Sequence, residues 1–191
     1  GCEQDRFLRN TNNRDNIDSR EIREGEGHMK KQEVYAFLEE KGVWFEVTEH
    51  EAVFNMEELG KVELPYPEAD AKNLFVRDDK HNKYYLITVK GEKRVNLKEF
   101  RKEQGTRPLS FASDEELKEK LDLIPGAVTP MGLLQAEAGQ VAFFLDEEFL
   151  EVKGLIGVHP NDNTATVWLK TEDLIQILKE AGHDVQLIHV A

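Results

Sequence analysis

The chain has 191 residues, enough for one large domain or two small ones with a substantial buried core. No apolar run reaches the roughly 18–20 residues of a membrane span, and the single cysteine, Cys2, excludes a disulfide scaffold or a cysteine-rich zinc site. The net charge of −13 argues against a protein that coats nucleic acid non-specifically.

Residues 1–28 differ in character from the rest of the chain. They have few apolar residues, no sustained periodicity and no apolar segment of a secretory signal, and they end in Gly27-His28 immediately before Met29. We therefore expect 1–28 to be an expression leader, disordered or non-native, and 29–191 to be the functional domain. Without the leader the chain contains no cysteine, so thiol chemistry is excluded, and we expect a cytoplasmic protein.

The first half of the domain shows helical spacing, then strand-forming segments separated by polar turns. In chain order the pattern predicts a helix over 30–41 that ends at Gly42, a strand over 43–48, a loop through 49–70, and a hairpin of strands 73–77 and 84–89.

The second half alternates helices and strands. Ser113 followed by Glu116 is a capping box, and Thr171 is the expected N-cap of a helix that Gly182 ends. The pattern predicts helices over 96–104, 114–121 and 172–181, strands over 141–145, 155–158, 164–169 and 185–190, and an irregular loop over 124–134. One α+β domain with a mixed β-sheet follows.

Positive charge is concentrated in one part of this acidic chain. Residues 80–107 hold nine Lys and Arg against three Glu, so this segment is locally basic. Such a segment is either a solvated surface of hairpin and helix or a patch that meets phosphate groups. In the second case its candidates for phosphate contact are Lys90, Lys93 and Arg94.

The common catalytic motifs are absent, including the phosphate-binding P-loop, the dinucleotide fingerprint, the zinc-protease motif and the nucleophile elbow. Lys72 opens a predicted strand, so it is either an exposed lysine or one that holds an anion or an ester oxygen. His159 lies between a strand end and a polar turn, where it either serves the turn or acts as an acid, base or ligand. The loop over 124–134 either is structural or offers backbone N–H groups near Gly126 or Gly132. The histidines show no metal-ligand spacing, so we expect no metal and no cofactor.

Several stretches together resemble the YbaK/prolyl-tRNA-synthetase-associated editing domain family, in particular its freestanding, ProX-like prolyl-tRNA editing branch. They occur in the order and spacing typical of the family and span essentially all of 29–191. The resembling stretches are His50-Glu51-Ala52-Val53-Phe54, Ala71-Lys72-Asn73-Leu74-Phe75-Val76-Arg77-Asp78, Leu109-Ser110-Phe111-Ala112, Pro125-Gly126-Ala127-Val128-Thr129-Pro130-Met131-Gly132-Leu133 and His159-Pro160-Asn161-Asp162-Asn163-Thr164-Ala165-Thr166.

The resemblance implies a mixed β-sheet, partly curled into a barrel, with flanking helices. It also implies an enzyme that hydrolyses the ester between a mischarged amino acid and the 3′ end of tRNA, here alanine on proline tRNA. Lys72 matches the functional lysine of the family. The positions that match the aminoacyl pocket or lie in its motifs are Asn73, Thr129, Pro130, Gly132, His159 and Thr164.

This activity has a physical rationale. A synthetase pocket that fits proline cannot exclude the smaller alanine strongly, because a lost methylene is worth only about 1–3 kcal/mol. The expected partners are therefore the aminoacylated 3′ end of proline tRNA and prolyl-tRNA synthetase, with no membrane. Two other functions stay open: a non-catalytic module that senses an amino acid or charged tRNA, and a protein that docks a synthetase. A deacylase for another small amino acid, such as cysteine on proline tRNA, is a further alternative.

Overall fold

The computed structural model describes residues 29–52, 57, 62–151 and 153–191. The expectations for the leader and for Val53 and Phe54 of the first matched stretch lie outside these residues. No helix within the described ranges is both long and apolar enough to cross a membrane.

Helices and strands are interspersed along the described chain. The helices are α1 (Lys31–Glu40), α2 (Leu97–Gln104), α3 (Asp114–Leu121) and α4 (Thr171–Glu180). The strands are β1 (Phe45–Glu49), β2 (Ala71–Asp78), β3 (Tyr84–Lys90), β4 (Leu109–Phe111), β5 (Val141–Asp146), β6 (Leu155–Val158), β7 (Ala165–Lys170) and β8 (Val185–Ile188). Short 3₁₀ helices cover Pro67–Ala69, Pro130–Gln135 and Glu147–Leu150.

The strands form two sheets. The larger has the order β4-β2-β3-β5-β8 and is mixed, because β2 pairs antiparallel with β3 and β4 whereas β5 pairs parallel with β3 and β8. The smaller is antiparallel, with the order β1-β7-β6. A single parallel bridge between Asp70 and Gly157 links them. The expected mixed sheet with flanking helices is confirmed, but the sheets do not close into a barrel.

Two apolar clusters cover the two faces of the larger sheet. Alternate residues of β2 enter different clusters, as strand geometry requires: Ala71 and Phe75 join the first, and Val76 joins the second. The first cluster is the main core and includes residues from both sheets and from α1, α3 and α4. The second is smaller and contains Phe100 of α2, which packs edge-on against Phe144 at 5.0 Å between ring centroids.

Most predicted elements are present with boundaries shifted by one or two residues. The hairpin of 73–77 and 84–89 is confirmed as β2 and β3, whose register pairs Arg77 with Tyr84. The capping box is also confirmed, since the Ser113 hydroxyl accepts from the Glu116 N–H and the Glu116 carboxylate accepts from the Ser113 N–H. The short strand β4 was not predicted.

Two local predictions were wrong. Thr171 is the first residue of α4 and not its N-cap, because its hydroxyl donates to the carbonyl of Phe149 at 2.7 Å. The expected irregular loop over 124–134 contains a 3₁₀ helix from Pro130, which the Thr129 hydroxyl caps by accepting from the Met131 N–H.

Candidate active site

Two of the predicted site residues, Lys72 and His159, lie just beyond the point where the two sheets are bridged. Asp70 and Gly157 form a parallel bridge, and Lys72 and His159 each lie two residues further along their chains. In parallel strands, residues two positions beyond a bridge again lie side by side and face the same way. No bridge forms at that second step. Lys72 and His159 therefore lie at the point where the backbone pairing of the two sheets ends.

Lys72 is a partly buried cation with an unusual set of neighbours. Its Nζ donates to the backbone carbonyl of Lys93. Burial lowers the pKa of Lys72, and the nearby charge of Arg94 lowers it further. No carboxylate in the described part of the chain lies within ion-pair distance of the Lys72 ammonium. A desolvated cation without a counter-ion is a position that favours an anionic ligand.

Asn73, the next residue of β2, projects to the other face of the strand, as successive strand residues do. Its side-chain oxygen accepts from the Thr88 hydroxyl at 2.6 Å, and Thr88 is its register partner on β3. This contact fixes the orientation of the Asn73 amide. Lys72 and Asn73 are thus adjacent in sequence but serve different faces of the sheet.

The ring of His159 is held in one tautomer. Its Nδ1 lies 2.8 Å from the carbonyl of Ala165, which can only accept, so Nδ1 carries the proton and Nε2 is a hydrogen-bond acceptor. Burial lowers the pKa of His159 below its ordinary value, which favours the neutral form of the ring. His50 packs edge-on against it at 6.1 Å, and its Nε2 lies 3.0 Å from the Thr166 hydroxyl.

The loop before the 3₁₀ helix Pro130–Gln135 is tied directly to His159. The Thr129 hydroxyl donates to the His159 carbonyl at 2.6 Å, and both Thr129 and Pro130 are buried. The Gly132 N–H already donates to the Thr129 carbonyl at 3.1 Å, so it is engaged and not free to stabilise an oxyanion. A Cβ on Gly132 would lie 2.6 Å from Cδ1 of Leu123, so glycine here permits close packing.

Thr164 belongs to the turn that follows His159. Its N–H and its hydroxyl both donate to Asp162 Oδ1. The hydroxyl also accepts from Lys31 Nζ at 2.9 Å, and that lysine pairs with Glu49 at 2.9 Å. Thr164 therefore links the turn to α1 and β1, and its hydroxyl is already in use.

The predicted basic patch divides into inward and outward residues. Lys93 pairs with Asp146 and Glu148 at 2.8 and 3.3 Å, and Lys90 Nζ donates to the Glu68 carbonyl at 2.6 Å. Arg94 is exposed and, among the described residues, makes no ion pair. On α2, Lys98, Arg101 and Lys102 are also exposed and make no ion pair with any residue in the described ranges. We name Arg94 and these three residues the basic surface.

The sequence analysis assigned no role to Asp146. Its carboxylate is fully buried at the end of β5 and binds Lys93. A single acidic residue closing an otherwise apolar strand segment was the available signal. No group of three or more His, Cys, Asp or Glu side chains in the described ranges is arranged to hold a metal ion.

Comparison with known proteins gives consistent matches. The chain matches the aminoacyl-tRNA editing domain family over residues 50–177. It is 36% identical over 160 residues to the prolyl-tRNA editing protein ProX of Acetoanaerobium sticklandii, covering 84% of this chain and 97% of that protein. It is also 36% identical over 163 residues to mouse (Mus musculus) prolyl-tRNA synthetase associated domain-containing protein 1, covering 82% and 96%.

A solved structure shares the fold. It is described as that of a candidate trans-editing enzyme for prolyl-tRNA synthetase, and it aligns with a TM-score of 0.61 at 21% identity. The alignment covers 85% of this chain and 98% of that chain. Together with the family match and the relatives above, the resemblance noted in the sequence is confirmed. The chain belongs to the aminoacyl-tRNA editing domain family and is an aminoacyl-tRNA deacylase.

Proposed function

We propose that this protein is a trans-editing deacylase that hydrolyses the ester of alanine mischarged onto proline tRNA. The proline tRNA is supported by the names of its relatives, which edit prolyl-tRNA or are associated with prolyl-tRNA synthetase. The observation that carries the site is Lys72, a partly buried cation without a carboxylate partner in the described chain, two residues beyond the bridge that joins the two sheets. Its missing counter-ion arrives with the substrate.

The reaction needs positioning and charge more than a strong nucleophile. An aminoacyl ester is already activated, so a water molecule or the neighbouring ribose hydroxyl can attack once it is oriented. The Lys72 ammonium has three N–H donors, and one of them donates a hydrogen bond to the Lys93 carbonyl. The others bind the phosphate of the terminal adenosine or the ester oxygen, where they stabilise negative charge. Lys72 acts by its charge and not as a base.

His159 supplies the complementary group. Its Nε2 is available to accept a hydrogen bond, since the Ala165 carbonyl fixes the ring through Nδ1 and burial favours the neutral form. It therefore orients the attacking water or the α-ammonium group of alanine. Thr129 and Pro130 shape the wall beside it, Gly132 keeps that wall close-packed against Leu123, and Asn73 and Thr164 hold the neighbouring strand and turn.

The basic surface receives the acceptor stem of the tRNA. Arg94 is close enough to Lys72 to affect its pKa, so this surface adjoins the catalytic lysine. Its unpaired cations can displace counter-ions from phosphates, whereas Lys90 and Lys93 use their ammonium groups within the protein. We therefore assign Lys90 and Lys93 a structural role beside the site and not direct contact with tRNA. The protein acts in the cytoplasm with tRNA and prolyl-tRNA synthetase as partners.

The test is deacylation of a panel of charged tRNAs by the full chain. The panel contains Ala-, Cys-, Ser- and Pro-tRNA(Pro), with Ala-tRNA(Ala) as the control for tRNA identity. We expect multiple-turnover release of alanine from Ala-tRNA(Pro) and at least tenfold slower reaction of Pro-tRNA(Pro), given the roughly 1–3 kcal/mol per methylene that a fitted pocket provides.

Three outcomes would contradict the proposal. Preference for Cys-tRNA(Pro) would show an editing enzyme with another amino-acid specificity. Equal rates on Ala-tRNA(Pro) and Ala-tRNA(Ala) would remove the proline tRNA from the proposal. Thermal stabilisation by charged tRNA without any turnover would indicate a binding module.

A further inference from the structure

We propose that Lys93 and Asp146 form a buried ion pair that positions Lys72 through the backbone carbonyl of Lys93. This inference rests on the proposed role of Lys72 in deacylation. It assigns Lys93 and Asp146 as positioning residues, which act on the substrate only through Lys72.

The ammonium of Lys93 is fully committed to contacts within the protein. It lies 2.8 Å from Asp146 Oδ2 and 3.3 Å from Glu148 Oε2, and it donates to the Val190 carbonyl at 2.7 Å. These three acceptors account for its three protons. Its side chain is only 14% exposed. The contacts therefore hold the Lys93 side chain in one place, between the end of β5 and the residues that follow β8.

Asp146 is a fixed anchor for this pair. Its side chain is fully buried, and each of its two oxygens accepts a backbone N–H. Oδ2 accepts from Lys90 at 3.2 Å and Oδ1 from Glu148 at 3.1 Å. A buried carboxylate with its hydrogen bonds satisfied and a cation beside it has little freedom to move.

The turn after β3 connects the fixed Lys93 side chain to Lys72 through the backbone carbonyl of Lys93. The Lys93 N–H donates to the Lys90 carbonyl at 3.0 Å, and the Gly91 N–H donates to the Asp70 carbonyl at 3.0 Å. Three sets of contacts thus restrain the backbone around the Lys93 carbonyl: the ion pair of the Lys93 side chain, the hydrogen bond within the turn, and the hydrogen bond from the turn to Asp70, which precedes β2. That carbonyl accepts from Lys72 Nζ, and no other described acceptor receives a hydrogen bond from this ammonium. The Lys93 carbonyl therefore orients the ammonium group of Lys72.

The test is single-turnover hydrolysis of Ala-tRNA(Pro) by the full chain. The single variants are Lys93→Met, Asp146→Asn and Lys72→Met, and the double variant combines Lys93→Met with Lys72→Met. Lys83→Met is the matched control, because Lys83 is an exposed lysine at the opposite end of the same hairpin. Glu148→Gln is the milder variant if Asp146→Asn does not fold, since the Glu148 side chain is 46% exposed. Thermal unfolding reports the folded fraction of each protein.

We expect Lys93→Met and Asp146→Asn to lower the rate constant at saturation about 10- to 100-fold, as ångström-scale misplacement of a catalytic group does. The half-saturating tRNA concentration should stay within about twofold, because neither side chain touches tRNA in this account. In the Lys72→Met background, Lys93→Met should have no further effect, since both changes act on one interaction.

Distinct results would overturn the inference. A raised half-saturating concentration with a smaller salt dependence and an unchanged rate at saturation would make Lys93 a direct tRNA contact. The same fold-loss from Lys93→Met in both backgrounds would make its role structural and independent of Lys72. A Lys72→Met protein with full activity would remove Lys72 from the proposed function, and the positioning role with it.

Discussion

The two ends of the β2–β3 hairpin treat their charged side chains in opposite ways. At the turn end, the Arg77 guanidinium lies 3.5 Å from the Glu116 carboxylate and donates to the Ser110 hydroxyl at 2.7 Å. At the other end, Lys72 has no carboxylate within ion-pair distance among the described residues. The charge of Arg77 is compensated within the protein, whereas that of Lys72 is available to an external anion.

The carboxyl groups at the two ends differ in the same sense. Burial raises the pKa of Asp70 to about 7, only partly offset by a hydrogen bond from the Ala71 N–H. Burial would also raise the pKa of Glu116, but hydrogen bonds from Tyr84, the Ser113 N–H and His81 outweigh it and lower that pKa to about 2. Glu116 is stabilised as an anion, whereas Asp70 is held in surroundings that oppose its charge.

The contrast separates residues that stabilise the fold from residues that serve the site. Arg77 and Glu116 form an ion pair at 3.5 Å, so losing either should cost folding free energy and leave catalysis intact. Lys72 and Asp70 lie at the junction of the two sheets and form no ion pair with another described residue, and an uncompensated charge of this kind is typical of sites where function is kept at the expense of stability. Substitutions at the two ends should therefore have opposite consequences.

The largest effect is expected at Lys72. Lys72→Met should lower the deacylation rate constant about 100-fold, the magnitude typical of losing one group that stabilises developing charge. Its melting temperature should equal or exceed that of the wild type, because a desolvated cation without a counter-ion is removed. Single-turnover kinetics and thermal unfolding of the same preparations check both halves. A lowered melting temperature with unchanged kinetics would reverse the assignment.

The second effect is on stability at neutral pH. Asp70→Asn should raise the free energy of unfolding by about 4 kcal/mol at pH 8, because the buried Asp70 is costly to ionise. The folded-state pKa lies above the ordinary value, so the unfolded chain releases its proton first. Stability from this group is greatest below about pH 4 and falls as the pH rises to about 7. Urea unfolding at pH 5 and 8 checks this: a gain of equal size at both pH values would contradict it.

The third effect, at the turn end, has the opposite sign. Glu116→Gln should lower the free energy of unfolding by about 1 kcal/mol at pH 7, after allowance for partial solvent screening. The folded-state pKa lies below the ordinary value, so this contribution is present above about pH 4.5 and is lost as the pH falls towards 2. Urea titrations between pH 3 and 7 measure the difference, and deacylation should stay within about twofold of wild type. A difference independent of pH would refute the electrostatic account.

The smallest effect is expected on the basic surface. Arg101→Glu should raise the half-saturating tRNA concentration about three- to tenfold at low salt, and the difference should shrink as salt increases. The rate at saturation should not change, because Arg101 is remote from the ester in this account. Lys179→Glu, an exposed lysine on α4, is the matched control. Equal effects of the two reversals would show only the influence of net charge.

Local patterns in the sequence predicted the fold well. The hairpin of β2 and β3 follows from two apolar segments around a polar turn, and the capping box of Ser113 and Glu116 is contained within four residues. Thr171 shows the limit of such patterns. Its hydroxyl had a plausible local role as a cap, but the carbonyl of Phe149, distant in sequence, takes it instead.

The sequence predicted candidate site residues, but it could not predict their contacts. Lys72 and His159 come from motifs that the resemblance brought together, and each lies two residues beyond the parallel bridge of Asp70 and Gly157. The ion pairs of Lys93 could not be predicted from the sequence, because its partners Asp146 and Glu148 lie more than fifty residues away in the chain. Charge counting alone cannot separate a lysine that faces solvent from one that faces a buried carboxylate.

The central claim is that Lys72 receives its missing counter-ion from the substrate, and one measurement tests it directly. Ala-tRNA(Pro) carrying a neutral methylphosphonate in place of the phosphate of the terminal adenosine is compared with the ordinary substrate, using wild type and Lys72→Met. The account predicts that the neutral linkage slows the wild type about as much as the substitution does, and that combining the two costs nothing further. Independent, multiplying losses would show that Lys72 and this phosphate do not interact, and would contradict the account.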